Sequence, residues 1–273
     1  MIETIANLMT LVFVVGSMVS MGLSLTPAEI TAPLANLRTV VLALAASFVV
    51  APLAGWGIVL LTGLDDALST GLIVIAAAAG APFLPKLVQA AKDDVATGVG
   101  LMVLLMAATV VILPLLLPLL LTGVVVDSWA IARSLILMML LPLALALAAR
   151  ARYGAAVEPV QAVCAQAANV ALIVLVGLLI VMNFRDMIGL VGSHGLIAAL
   201  LFYVVVAAVG YLLGGPVMAL ATAQRNISAA VVVAGQNFGI DVLTFIVTAS
   251  LIGMLVLFPL AGEFGRRRVR PNA

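Results

Sequence analysis

Two short stretches concentrate polar chemistry in a chain of 273 residues that is 66% hydrophobic and only 8% charged. In "TAQRNIS", Thr222 to Ser228, the side chains of Gln224, Arg225, Asn226 and Ser228 interrupt an apolar run. In "GAPFLPK", Gly80 to Lys86, Pro82 and Pro85 precede the ammonium of Lys86. An arginine near the middle of an apolar helix costs about 2.5 to 3.5 kcal/mol on insertion scales, and a residue held at that cost marks a site. The chemistry open to these types is narrow. A guanidinium pairs with an anion through two parallel donors, and a lysine offers a mobile point charge. Either cation can also offset the half negative charge at the C-terminal end of a helix. The acids cluster at the ends of the apolar runs, which leaves no carboxylate beside these cations to relay protons. The one histidine, His194 in "GSHG", lies in a polar connection with no catalytic partners, and the single cysteine, Cys164, excludes an internal disulfide. Nothing here requires a cofactor or a metal, and the chain is not read as an enzyme.

The elements that must carry these residues follow from hydropathy. A mean hydropathy of +1.37 lies far outside the range of soluble domains. The chain reads as an all-α polytopic membrane protein, because in lipid every backbone polar group must be satisfied within the segment. A window of about 19 residues finds about nine segments: roughly 5–25, 39–62, 67–91, 95–122, 129–149, 160–182, 195–214, 216–238 and 240–262. They fill the chain as one transmembrane unit, 1–273. A net charge of +1 offers no basic surface for nucleic acid. The opening run has no basic start or small-residue cleavage site and is read as a retained first span. Arg38, Lys92, Arg150 with Arg152, and the tail "GRRRVR" fall on one side, whereas Asp65 with Asp66, Asp127, Asp186 and Asp241 fall on the other, with Arg185 and Arg133 as the basic residues there. The basic side is expected to be cytoplasmic, with the N-terminus outside and the C-terminus inside a cell (inner) membrane.

The run "DVATGVGLMVLLMAATVVILPL" from Asp94 resembles "DVLTFIVTASLIGMLVLFPL" from Asp241, 147 positions on. Each follows a span broken by proline or polar residues, and an odd number of spans separates them, so the copies are inverted in the bilayer. Inverted repeats with interrupted helices in corresponding places mark a secondary transporter whose site lies where the breaks meet. Lys92, Asp93 and Asp94 read as a solvated helix end and start, with Asp94 capping the next helix. Ser17, Ser20, Asn7, Gln161, Gln166 and Asn169 are candidate polar contacts from the first and sixth spans, and interhelical hydrogen bonding explains them equally well. Gln236 and Asn237 are expected to face the interior or an aqueous cavity.

At "MGLSLTPAEI", "KDDVATGVGLMVLLMAATVVILPLLLPLL" and "AQRNISAAVVVAGQNF" the chain resembles the bile acid:sodium symporter family. That resemblance implies a core of two crossing interrupted helices with their supports, here about 39–122 and 195–262. It also implies a panel domain, about 5–25 and 129–182, with an organic anion bound between core and panel and two sodium ions behind the crossing. It also implies departures. Leu84 and Pro85 stand at a serine and an asparagine of the family's sodium site, Gly98 and Met102 near its hydroxyl ligands, Ala221 at its glutamate, and Arg225 at its glutamine, while Asn226 is retained. Sodium is a hard cation that needs several oxygen ligands. The expected function is therefore alternating-access transport of a small organic anion, with Lys86 and Arg225 either replacing sodium or gripping the substrate, and proton coupling as the other source of drive. The rival readings are a cation/proton antiporter and a non-transporting membrane scaffold.

Overall fold

The computed structural model describes residues 2–31, 35–121, 127–182 and 194–269, and within them the chain is helical almost throughout. Arg185, Asp186 and Arg270 lie outside the described residues. The first helix, α1 (Ile2–Ser24), is followed by the short α2 (Pro27–Thr31). The second apolar run is α3 (Leu37–Ala45) and α4 (Ala51–Thr62) joined by a π-helical turn, Ala46–Val50. Next come α5 (Asp66–Ala77), α6 (Leu84–Ala90) and α7 (Val95–Leu120). A second π turn, Ile136–Leu140, joins α8 (Ser128–Leu135) to α9 (Leu141–Tyr153). The chain closes with α10 (Glu158–Met182), α11 (Gly195–Ala223), α12 (Ile227–Asn237) and α13 (Ile240–Val269).

Six stretches are long and apolar enough to cross a bilayer among the described residues, and one of them, Ser128–Leu175, spans both the α8–α9 helix and most of α10. Two further crossings are built from short pieces. One is α5 with α6. The other is the last part of α11 with α12. Helix α11 is two arms rather than one, because Gly214 (φ −169°, ψ 26°) and Gly215 (φ 73°, ψ −158°) leave helical geometry just before Pro216. The arms fold back on each other: a Cβ on Gly210 would lie 2.6 Å from the Met218 carbonyl oxygen and 2.9 Å from Thr222 Oγ1. Gly210 is what permits backbones to approach so closely. The expected boundary between spans at 214–216 is thus a tight helical hairpin.

Local chemistry explains where helices start. Asp65, Asp94 and Asp127 each accept a backbone N–H at the start of the following helix, from Leu68, Thr97 and Ala130 at 2.9, 3.2 and 3.0 Å. Asp65 and Asp127, two of the acids opposite the basic loops, are therefore also N-caps. Asp94 behaves as expected, but its neighbour Asp93 is not simply solvated: its carboxylate is 8% exposed and pairs with Arg268 at 2.6 Å.

Helix α1 packs along α10 and α9, whereas α13 packs on α11, α5 and α12, and α4 packs on both α5 and α11. A continuous apolar cluster links them, including Met18 of α1, Leu72 of α5, Leu105 of α7 and Phe245 of α13. Exposed Leu61, Leu119, Leu212 and Leu255 form an outer surface suited to lipid.

Candidate functional site

The two breaks meet. After α5 the chain runs extended through Ala78 before α6 begins, and after α11 it runs extended through Gln224 before α12 begins. Ala79 and Arg225 pair as an antiparallel bridge. The backbone N–H of Asn226 donates to the Ala78 carbonyl at 2.9 Å, and Asn226 Nδ2 donates to the Gly80 carbonyl at 2.9 Å. The same side chain caps α12, since Asn226 Oδ1 accepts from the Ala229 N–H at 3.0 Å. Asn226 is fully buried and holds both breaks in register.

From the other side, Thr109 of α7 satisfies Ala79 twice: its hydroxyl accepts from Ala79 N–H at 2.9 Å and donates to the Ala79 carbonyl at 2.8 Å. Gly80 is required in this crossing. Its φ is +77°, and a Cβ would lie 2.1 Å from the Met106 nitrogen.

Arg225 is 2% exposed. The hydrogen bonds of its guanidinium all go to backbone carbonyls. Nε donates to Ile75 at 3.1 Å, one terminal nitrogen donates to Thr222 at 2.8 Å, and the other donates to Ala76 at 2.5 Å and to Ser47 at 3.2 Å. Ile75 and Ala76 end α5 and Thr222 ends α11, so the cation lies where two helix C-termini converge, each carrying about half a negative charge. The fourth acceptor has its own cause. In the π turn the Ala51 N–H is directed to Ala46, and the donor one step further along is Pro52, which has no N–H. The Ser47 carbonyl is left free for Arg225. Among the described residues no carboxylate pairs with Arg225.

A cavity of 520 Å³ opens beside the crossing. That volume suits a drug-sized ligand. One wall comes from the breaks, with Pro82, Phe83, Pro85, Lys86, Gln224, Arg225 and Ser228, and is completed by Met102 of α7 and by Met254 and Phe258 of α13. The opposite wall is α1, with Phe13, Ser17 and Ser20, and α10, with Gln161, Ala165, Asn169 and Leu172. Across that wall Gln161 Nε2 donates to Ser20 Oγ at 3.1 Å. The contributions come from the C-terminal part of α1 and the N-terminal part of α10, so the cavity lies toward the side on which α9 and α10 are joined. No Asp, Glu or His appears in its lining, and no group of three or more metal-ligating side chains occurs among the described residues.

Six of the seven residues singled out in the two broken stretches line this one cavity, and the seventh, Asn226, lies behind them as the lock of the crossing. Lys86 does not join Arg225 among the carbonyls. It is exposed, with Nζ 5.2 Å from the centre of the Phe83 ring. Ser17, Ser20, Gln161 and Asn169 reach the cavity, whereas Asn7 and Gln166 do not line it. Gln236 is exposed and touches Met138, and Asn237 bonds back to Val233, so neither serves the crossing. Sequence reasoning passed over Thr109 and Ser47. A threonine within an apolar helix carries no visible signal, and in an ordinary α-helix Pro52 would free the carbonyl of Phe48, so only the π turn moves the free carbonyl to Ser47.

The profile of a family described as the Sodium Bile acid symporter family matches residues 9–194, which takes in the first break and both helices of the far wall but ends before the second break. No curated protein matches the chain.

Proposed function

Because the chain belongs to the Sodium Bile acid symporter family, we propose that it is a secondary transporter that carries a small organic anion by alternating access, with Arg225 standing at the crossing in place of a mobile cation. The observation that carries this reading is the guanidinium itself: it donates to the ends of two helices and to the Ser47 carbonyl, which is the work a bound cation does at converging helix C-termini. Side-chain oxygens are absent from Leu84, Pro85, Gly98, Met102 and Ala221, where the family resemblance would put sodium ligands, and a hard cation has little to hold it there. A cation/proton antiporter would need an ionisable carboxylate near the crossing, and the cavity lining contains none.

The helices at 39–122 and 195–262 form the core in this reading and those at 5–25 and 129–182 the panel, which rock against each other around the cavity as an inverted-repeat transporter does. The cavity lies toward the α9–α10 junction, and with the basic side cytoplasmic this reading takes the conformation as inward-facing. The N-terminus is then outside and the C-terminus inside the cell (inner) membrane.

Proteoliposomes test the reading. Purified protein should give saturable uptake of a labelled organic monoanion, at a rate that changes less than about twofold when sodium is replaced by potassium or choline at clamped potential. Steep sodium dependence would overturn Arg225 as the cation of the crossing, and absence of saturable uptake for a broad set of organic anions would overturn the transporter reading. Reporter tags at the two ends, probed in intact cells, should be accessible before Met1 and protected after Ala273.

A further inference from the structure

The cavity wall holds two cations, Lys86 and Arg225, and no acid. Arg225 donates to four carbonyls, and an anion that approached it would have to compete with the ends of α5 and α11 for the same N–H groups. Lys86 is different. It forms no ion pair among the described residues, and its ammonium rests over the Phe83 ring. That ring packs edge-on against Phe258 with centroids 5.3 Å apart, so an aromatic pair holds the charge at the cavity wall.

From this we infer that Lys86, rather than Arg225, is the anchor for the substrate's acid group. The inference rests on the organic-anion reading above. Its chemistry follows from the surroundings. One free ammonium can neutralise one anionic group, and a second charge would be left unpaired against apolar Phe13, Met102, Leu172 and Met254. These same side chains offer an apolar bed for the substrate body. Ser20, Gln161 and Asn169 on the far wall supply hydrogen-bonding groups for a hydroxyl or carbonyl at the end of that body.

The test uses the full chain in detergent and a matched pair of probes, cholate below its micelle-forming concentration and its uncharged amide. Wild-type protein should bind the acid roughly 10- to 100-fold more tightly than the amide, the range for one charge-assisted hydrogen bond. Lys86→Met should bring the acid down to the affinity of the amide, leave the amide unchanged, and leave the melting temperature without ligand unchanged, because Lys86 is exposed. Lys86→Arg should restore most of the preference, which a purely structural role would not produce. If Lys86→Met keeps the acid preference, or if wild-type protein binds both probes equally, Lys86 is not the anchor while the cavity reading stands. Failure of wild-type protein to bind either probe overturns this assignment, and the organic-anion reading is then decided by the uptake assay above.

Discussion

Replacing Arg225 by methionine keeps much of the side-chain volume and removes every donor. Three carbonyls, those of Ala76, Thr222 and Ser47, then lose the partner that the helix ends and the π turn do not supply. Each buried carbonyl left unsatisfied costs about 1–3 kcal/mol, a gross loss of about 3–9 kcal/mol. Against this stands relief from burying the guanidinium, about 2.5–3.5 kcal/mol on insertion scales. The clamp wins by about 3 kcal/mol. At about 2–4 °C for each kcal/mol in a chain of this size, the melting temperature without substrate should fall by roughly 6–12 °C. Arg225→Lys keeps the charge but brings three donors from one point, which cannot span Ser47, Ala76 and Thr222 together, so its fall should be intermediate. Scanning calorimetry or intrinsic fluorescence of purified protein in detergent measures both. A methionine variant as stable as wild type, or more stable, would refute the reasoning: the guanidinium would then be a desolvated burden kept for another purpose, such as a direct grip on substrate.

Three further outcomes follow from the crossing and its flanks. Asn226→Ala removes the α12 cap and leaves the Gly80 carbonyl without Nδ2, and should destabilise by about 2–4 kcal/mol in a thermal melt; Asn226→Asp should do worse, since it sets a carboxylate oxygen against that carbonyl. Thr109→Val preserves shape but strands both the N–H and the carbonyl of Ala79, and should cost about 2–4 kcal/mol, while Thr109→Ser should melt like wild type. Hydrogen bonds from the side chain and backbone of Thr97 hold the Asp94 carboxyl below its ordinary 3.8, so its stabilising effect is complete above that pH and is lost as pH falls through the lower folded value. Asp94→Ala should therefore cost about 1 kcal/mol at pH 7, and the gap to wild type should close in melts taken below pH 3.8; a gap that stays constant with pH would show that Asp94 is not acting through its charge.

Much of the architecture was legible without coordinates because lipid imposes a simple rule on backbone hydrogen bonds. Apolar runs of spanning length had to be helices, and the segment boundaries near 62, 95, 182 and 195 fall within a few residues of the observed helix ends. The two breaks were visible because proline and polar residues cannot sit unnoticed in such runs. Arg225 stood out for the same reason, since an uncompensated guanidinium in an apolar segment is too costly to be incidental.

What the sequence by itself determined, then, was the set of spans, the position of both interruptions, the cap at Asp94 and the candidacy of Lys86 and Arg225. It left the roles of the two cations open, because a side chain's role depends on which groups surround it, and those come from far along the chain. The acceptors for Arg225 are backbone carbonyls 149, 150 and 178 positions away, together with one three positions away. A carbonyl belongs to every residue and leaves no trace in residue type. Only the tertiary structure turned two helix ends toward one guanidinium, left Lys86 facing an aromatic ring and an apolar cavity, and tied Ala79 to Thr109 across 30 positions. The division of labour between the two cations is therefore a property of how the helices cross, since burial and the orientation of backbone dipoles are decided by packing and not by composition.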